Sequence, residues 1–180
     1  MKTVYRKSTA MLIGVAITTA MAGPALAGHT NTVLEAYLDG RNEVANGAAN
    51  QAIVGDPNGR GAAYVFGIDG DAETLCYTLI VDKIELVPVG EGMAAHIHAG
   101  MPGENGPVVA VLAGPEDGNA ADCLTEGEAG KFPLHPDAGS GIVQDILNNP
   151  WYYYINVHNP EYPGGAVRGQ LEYVEDSHSH

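Results

Sequence analysis

Cysteine is close to absent: the chain of 180 residues has two, Cys76 and Cys123, and neither sits in a C-x-x-C motif. That argues against a thiolate metal site. Basic residues are also scarce, 8 Lys and Arg against 22 Asp and Glu, for a formal net charge of −14. Beyond residue 27 the bases are Arg41, Arg60, Lys83, Lys131 and Arg168 alone. Such a field repels nucleic acid and anionic lipid and attracts cations, metals included. Several catalytic signatures are missing. There is no G-x-S-x-G nucleophile elbow and no phosphate-cradling G-x-x-x-x-G-K-[ST]. The acids around 101–107 lack calcium-loop spacing, and no two carboxylates stand out as an acid–base couple.

Long hydrophobic runs are absent after the first 27 residues. Within them, Lys2, Arg6 and Lys7 precede an apolar run from Ala10 to Met21, followed by Ala25-Leu26-Ala27. A charged start, a short apolar middle and an A-x-A end are the marks of a secretory signal peptide, residues 1–27, cleaved after Ala27. The run falls short of the roughly 20 residues of a membrane span, and no Cys follows it to carry a lipid. The expectation is a periplasmic or secreted protein with no membrane insertion after cleavage. In an oxidising compartment, an isolated Cys76 and Cys123 are expected to form a disulfide. Closing so long a loop is worth roughly 4 kcal/mol in the chain-entropy account.

What is abundant is punctuation: 24 Gly and 11 Pro break the rest into short apolar stretches. This is an all-β pattern. Strands are predicted at Val33–Leu38, Ala62–Ile68, Thr74–Val81, Met93–His98, Pro107–Leu112, Trp151–Val157 and Ala166–Tyr173. Residues 41–60 and 114–130 read as loops, the second tied down by Cys123. Residues 140–148 are the one helical candidate, with Ser140 as cap and Ile142, Val143, Ile146 and Leu147 on one face. The expected architecture is a single Greek-key sandwich or barrel with one short helix, over residues 28–174. A short acidic, His-bearing tail, residues 175–180, follows it.

The sharpest chemical feature is His96-Ile97-His98. In a strand, residues two apart share a face, so both imidazoles project together and Ile97 points away. Two neighbouring imidazoles are half of a copper or zinc site. The second feature is the strand ending at His158. Parity places Tyr152, Tyr154, Asn156 and His158 on one face, with Trp151, Tyr153, Ile155 and Val157 on the other. An amide and an imidazole beside aromatics suit the lining of a site, with Asn156 and the tyrosines behind the ligands. The bland alternative is packing under a loop, with His158 ending a turn. His135 reads as a plain loop residue. His178 and His180 lie in the tail, and His29 would stand second after cleavage; no role is assigned to these.

Two long motifs identify a relative. Ala94-Ala95-His96-Ile97-His98-Ala99-Gly100, with Gly103-Glu104-Asn105-Gly106-Pro107-Val108-Val109, resembles the central signature of the CHRD (chordin-type) domain family. Residues 154–159 (Tyr-Ile-Asn-Val-His-Asn) and 162–171 (Tyr-Pro-Gly-Gly-Ala-Val-Arg-Gly-Gln-Leu) resemble its C-terminal signature. The opening Leu38-Asp39-Gly40-Arg41-Asn42-Glu43-Val44 is similar to its first strand and turn, without the usual prolines after the valine. The likeness runs from Val33 to Tyr173, and among the family the chain looks like an exported bacterial member. It implies an immunoglobulin-like β-sandwich. A looser likeness is to Cu,Zn superoxide dismutase, which also joins an H-x-H strand to a distant histidine on a Greek-key barrel beside a disulfide. By that analogy His96, His98 and His158 would hold copper, although the dismutase's second metal site is not visible.

Three readings follow. The first is an exported protein that binds a metal ion, copper ahead of zinc, for storage, delivery or redox use. The second is a metal-free binding or adhesion module with a protein partner or a second copy of itself. The third is a dismutase-like copper enzyme. The balance falls on binding rather than catalysis, and no catalytic residue is assigned.

Overall fold

The computed structural model of the chain describes residues 32–45 and 54–174. The segments expected to be a signal peptide and a His-bearing tail, with His29, His178 and His180, lie outside the described residues.

Nine strands form one antiparallel sheet: β1 (Val33–Asp39), β2 (Arg60–Ile68), β3 (Asp71–Asp82), β4 (Ala94–Ala99), β5 (Val108–Leu112), β6 (Asn119–Thr125), β7 (Tyr153–His158), β8 (Val167–Gln170) and β9 (Glu172–Tyr173). The spatial order is β5-β4-β7-β8-β1-β2-β3-β6, with β9 also on β1. β1 to β3 form a meander. The chain then crosses to β4, returns to β6 beside β3, and crosses again to β7 beside β4, as in a Greek key. The sheet curls into a nearly closed barrel. Where its ends approach, the Val111 amide donates to the Lys131 carbonyl at 2.8 Å and the Ala113 amide to the Tyr77 hydroxyl at 2.6 Å.

Alternation decides which side chains fill it. Leu75, Tyr77, Leu79 and Val81 of β3 are buried inside, with Leu34, Ala36 and Leu38 of β1, Ile97 of β4, and Ile155 and Val157 of β7. Each fully buried large apolar side chain contributes about 1.5–3 kcal/mol. Among the described residues one α-helix, α1 (Ile142–Asn148), lays Ile142, Val143, Ile146 and Leu147 into the same core.

Four local expectations are corrected. The loop expected at 114–130 contains β6, paired with β3 from Thr74↔Thr125 to Ile80↔Asn119. As an edge strand with mostly exposed residues it carries no apolar alternation to betray it. Ser140 is not the helix cap. Gly141 holds that position, and the buried Glu126 carboxylate accepts from the Gly141 and Val143 amides at 2.8 and 2.9 Å and from the Ser140 hydroxyl at 2.9 Å. The strand expected from Trp151 begins at Tyr153, because Pro150–Tyr152 form a 3-10 turn. The closing strand is broken at Leu171, which turns into the core while its amide donates to the Tyr153 carbonyl at 2.9 Å.

Cys76 and Cys123 are bonded, directly opposite one another on β3 and β6 with Cα atoms 4.0 Å apart. Among the described residues no helix is long and apolar enough to cross a membrane.

Candidate metal centre

The functional side chains stand on the outward face of β4, β7 and β8. Register places them in two rows. His96, Asn156 and Arg168 lie side by side across the three strands, and so do His98, Tyr154 and Gln170. His158 closes β7 opposite Ala94. Ile97, between the two histidines, is fully buried in the core, so the parity of H-x-H holds. A bulge helps to aim His98: β5 pairs Ala110 with Ile97 but Val108 with His98, leaving Val109 extra.

The three imidazoles meet. Ring centroids are 5.6 Å apart for His96–His98, 5.2 Å for His96–His158 and 6.2 Å for His98–His158. One ligand nitrogen from each lies within 4.8 Å of the other two. An ion with bonds of about 2.0–2.1 Å holds nitrogens roughly 3.3–4.2 Å apart. The spacing of the set is thus close to what such an ion requires.

Two backbone carbonyls orient the rings. His98 Nδ1 is 2.9 Å from the Gly106 carbonyl, and His158 Nδ1 is 3.1 Å from that of Pro163. A carbonyl only accepts, so each Nδ1 carries the proton and each Nε2 keeps its lone pair. Gly106 can deliver its carbonyl because it has no side chain: a Cβ there would stand 1.5 Å from the Ala99 carbonyl oxygen. Tyr154 supports His98 from the side, stacked at 4.9 Å with the rings 9° from parallel. Its hydroxyl accepts from the Gly106 amide at 3.1 Å. The turn after His158 is pinned by Asn159, whose side chain accepts from the Tyr162 amide at 2.8 Å and donates to the Glu85 carbonyl at 3.0 Å.

Burial keeps the imidazoles neutral. His96 is pushed down to about 4, first by burial and then by His158 and His98. His98 and His158 are lowered for the same leading reason, opposed by their carbonyl hydrogen bonds. Neutral rings present lone pairs rather than protons, the state that binds metal.

The polar accounting singles out this place. Among the described residues, the buried side-chain atoms lacking a hydrogen-bond partner are His96 Nδ1, His98 Nε2, His158 Nε2, Asn156 Oδ1 and Glu43 Oε1. Buried orphans are normally rare, yet here three belong to the histidine cluster. The other two belong to a contacting pair, since Asn156 donates to Glu43 Oε2 at 3.4 Å. Glu43 is pushed up to about 7 by burial, against the pull of Arg168 and the Asn156 bond. It lies against Gly165, where a Cβ would stand 2.5 Å from its carboxylate.

The expected residues divide as follows. His96, His98 and His158 come together, with Tyr154 and Asn156 beside them on the same face. Tyr152 does not join them: it lies in the 3-10 turn, 47 % exposed, its ring edge-on to Tyr153. His135 stands apart in a loop, its amide donating to the Phe132 carbonyl. Glu43 was not singled out from sequence. The one available signal was an acid placed within the first motif.

The family model of the CHRD domain matches residues 34–171. No curated protein and no solved structure matches the chain.

Proposed function

The chain belongs to the CHRD domain family, and from that premise we propose that it is an exported metal-binding protein, taking copper, with zinc as competitor, at His96, His98 and His158. The observation that carries the reading is a cluster of three imidazoles, each with one buried nitrogen that lacks a hydrogen-bond partner and each offering a ligand nitrogen within 4.8 Å of the other two. Imidazole suits both Cu and Zn. Bound there, the ion would supply a Lewis-acidic or redox centre. The chain's own part is to hold two Nδ1 protons on carbonyls, present lone pairs, and keep the three imidazoles half-buried. The disulfide agrees with an oxidising, extracytoplasmic compartment, and storage or delivery is the role this binding reading favours.

The test is metal content of the full chain, processed by its host and purified without a tag. Its comparison is a His96→Ala/His98→Ala/His158→Ala variant truncated before His178. One equivalent of copper or zinc in the first, and none in the folded variant, is expected. Equal metal in both, or none after copper loading, would overturn the reading.

A second reading, a metal-free binding module, draws on a different surface. Tyr37, Tyr64 and Ile80 are exposed on the outward face of β1 to β3, and such side chains suit contact with a partner. Loss of partner binding on Tyr37→Ser, with metal content unchanged, would favour it.

A further inference from the structure

A cavity opens beside β8, the strand on the other side of β7 from β4. It has a volume of about 230 Å³ and is lined by Asn42, Pro102, Gly103, Arg168 and Gln170. We propose that it binds a small carboxylate anion through the Arg168 guanidinium.

Arg168 is only 2 % exposed. One face of its guanidinium is covered by the Tyr154 ring, 3.4 Å from the centroid. Its N–H groups donate to neutral oxygens, Asn105 Oδ1 and the Met101 carbonyl, both at 3.3 Å. The ion pairs among the described residues are Arg41–Asp39, Arg60–Asp39 and Lys131–Asp122, and Arg168 enters none of them. Glu43 favours the Arg168 charge through space but makes no ion pair with it. A buried cation that is hydrogen-bonded to neutral oxygens and forms no ion pair is left with part of its desolvation cost uncompensated. Here that cation borders a cavity.

The size and charge of the cavity select the ligand. A water occupies about 30 Å³ of liquid, so the space accepts an anion of a few heavy atoms. The guanidinium fork matches the two oxygens of a carboxylate. Gln170 and Asn42 add polar walls, although their amides already donate to the Gly100, Trp151 and Arg168 carbonyls. A polyanion is disfavoured by the chain's charge of −14, whereas a single carboxylate meets one buried cation. This site does not depend on metal at the histidines.

Acetate is the probe, chloride the control, and the side-chain Nε–H and Gly103 amide NMR signals of the purified full chain the readout. Acetate is expected to give a saturable shift in the millimolar range, weakened at least about tenfold in Arg168→Lys, which keeps charge but loses the fork. No saturable shift, the same shift with chloride, or unchanged affinity in folded Arg168→Lys would overturn the proposal. If Arg168→Lys fails to fold, Gly103→Asp against Gly103→Asn decides. Gly103 has φ 84 and open space where a Cβ would stand, a conformation Asn and Asp tolerate better than other side chains. The aspartate, a carboxylate at the cavity wall, is expected to lower acetate affinity about tenfold relative to the asparagine. Equal affinities would sink the proposal.

Discussion

The outward faces of the two halves of the barrel are built from the same alternating strands and end up chemically opposite. On β4, β7 and β8 the outward residues include imidazoles, two amides, a guanidinium and a stacked tyrosine, and all of these are half-buried or buried. On β1, β2 and β3 they include Tyr37, 62 % exposed, with Tyr64 and Ile80 also open to solvent. The difference is what lies on top. Segments around Glu43, Gly106 and Pro163 cover the first face and place carbonyls and a carboxylate against it. The second face carries no such cover among the described residues, and its reinforcement is covalent, the Cys76–Cys123 bond. One half keeps polar groups desolvated at a cost in stability. The other is stapled, so stability and site chemistry should come apart on mutation.

The largest separation is expected from the staple. Cys76→Ala/Cys123→Ala should destabilise by about 2–5 kcal/mol and leave metal content at the histidines unchanged, as measured by denaturant unfolding and metal analysis. A parallel loss of metal would mean that the two halves are coupled.

Next is the pH dependence of the covered face. The folded state pushes Glu43 from 4.5 up to about 7, so between those values it binds more protons than the unfolded chain does. Its contribution is therefore full below about pH 4.5 and is lost as pH rises through about 7. Over that range the loss is at most about 3 kcal/mol. Glu43→Gln should remove this slope, read as melting temperature between pH 5 and 8 in metal-free protein. An unchanged slope would show that Glu43 is not desolvated as described. The histidines act in the opposite direction. Their lowered values make stability full above about 6.5 and lost as pH falls through about 4 for His96.

A smaller effect is expected at the end of the stapled half, where Glu126 holds the start of α1. Glu126→Ala strands the Gly141 and Val143 amides and should cost about 1–3 kcal/mol. The smallest belongs to the open face: Tyr37→Ser should shift stability by no more than about 0.5 kcal/mol. A larger cost at Tyr37 would reveal a cover that this comparison lacks.

Much of this was legible in the residues. The buried stripe of α1 and the alternation of β3 follow from period, and the disulfide from an isolated pair of cysteines in a chain expected to be exported. The shared face of His96 and His98 is equally a matter of period. Reading parity through Trp151 failed for Tyr152, because Pro150 starts a 3-10 turn there and strand alternation has no meaning before Tyr153. β6 was hidden because an exposed edge strand needs no apolar pattern, only a partner. Glu43 and Glu126 were hidden for a related reason: an acid's burial depends on what packs over it, and nothing in its own neighbourhood marks that.

The sequence by itself determined the family, the all-β class and the histidines that could serve as ligands, since these rest on motifs and on a side-chain period of two. Only the tertiary structure decided that His158 falls beside His96 and His98, because register between β4 and β7 joins residues some sixty apart in the chain. It alone decided which nitrogens face inward, since the carbonyls of Gly106 and Pro163 that set the tautomers are backbone groups whose positions come from the turns.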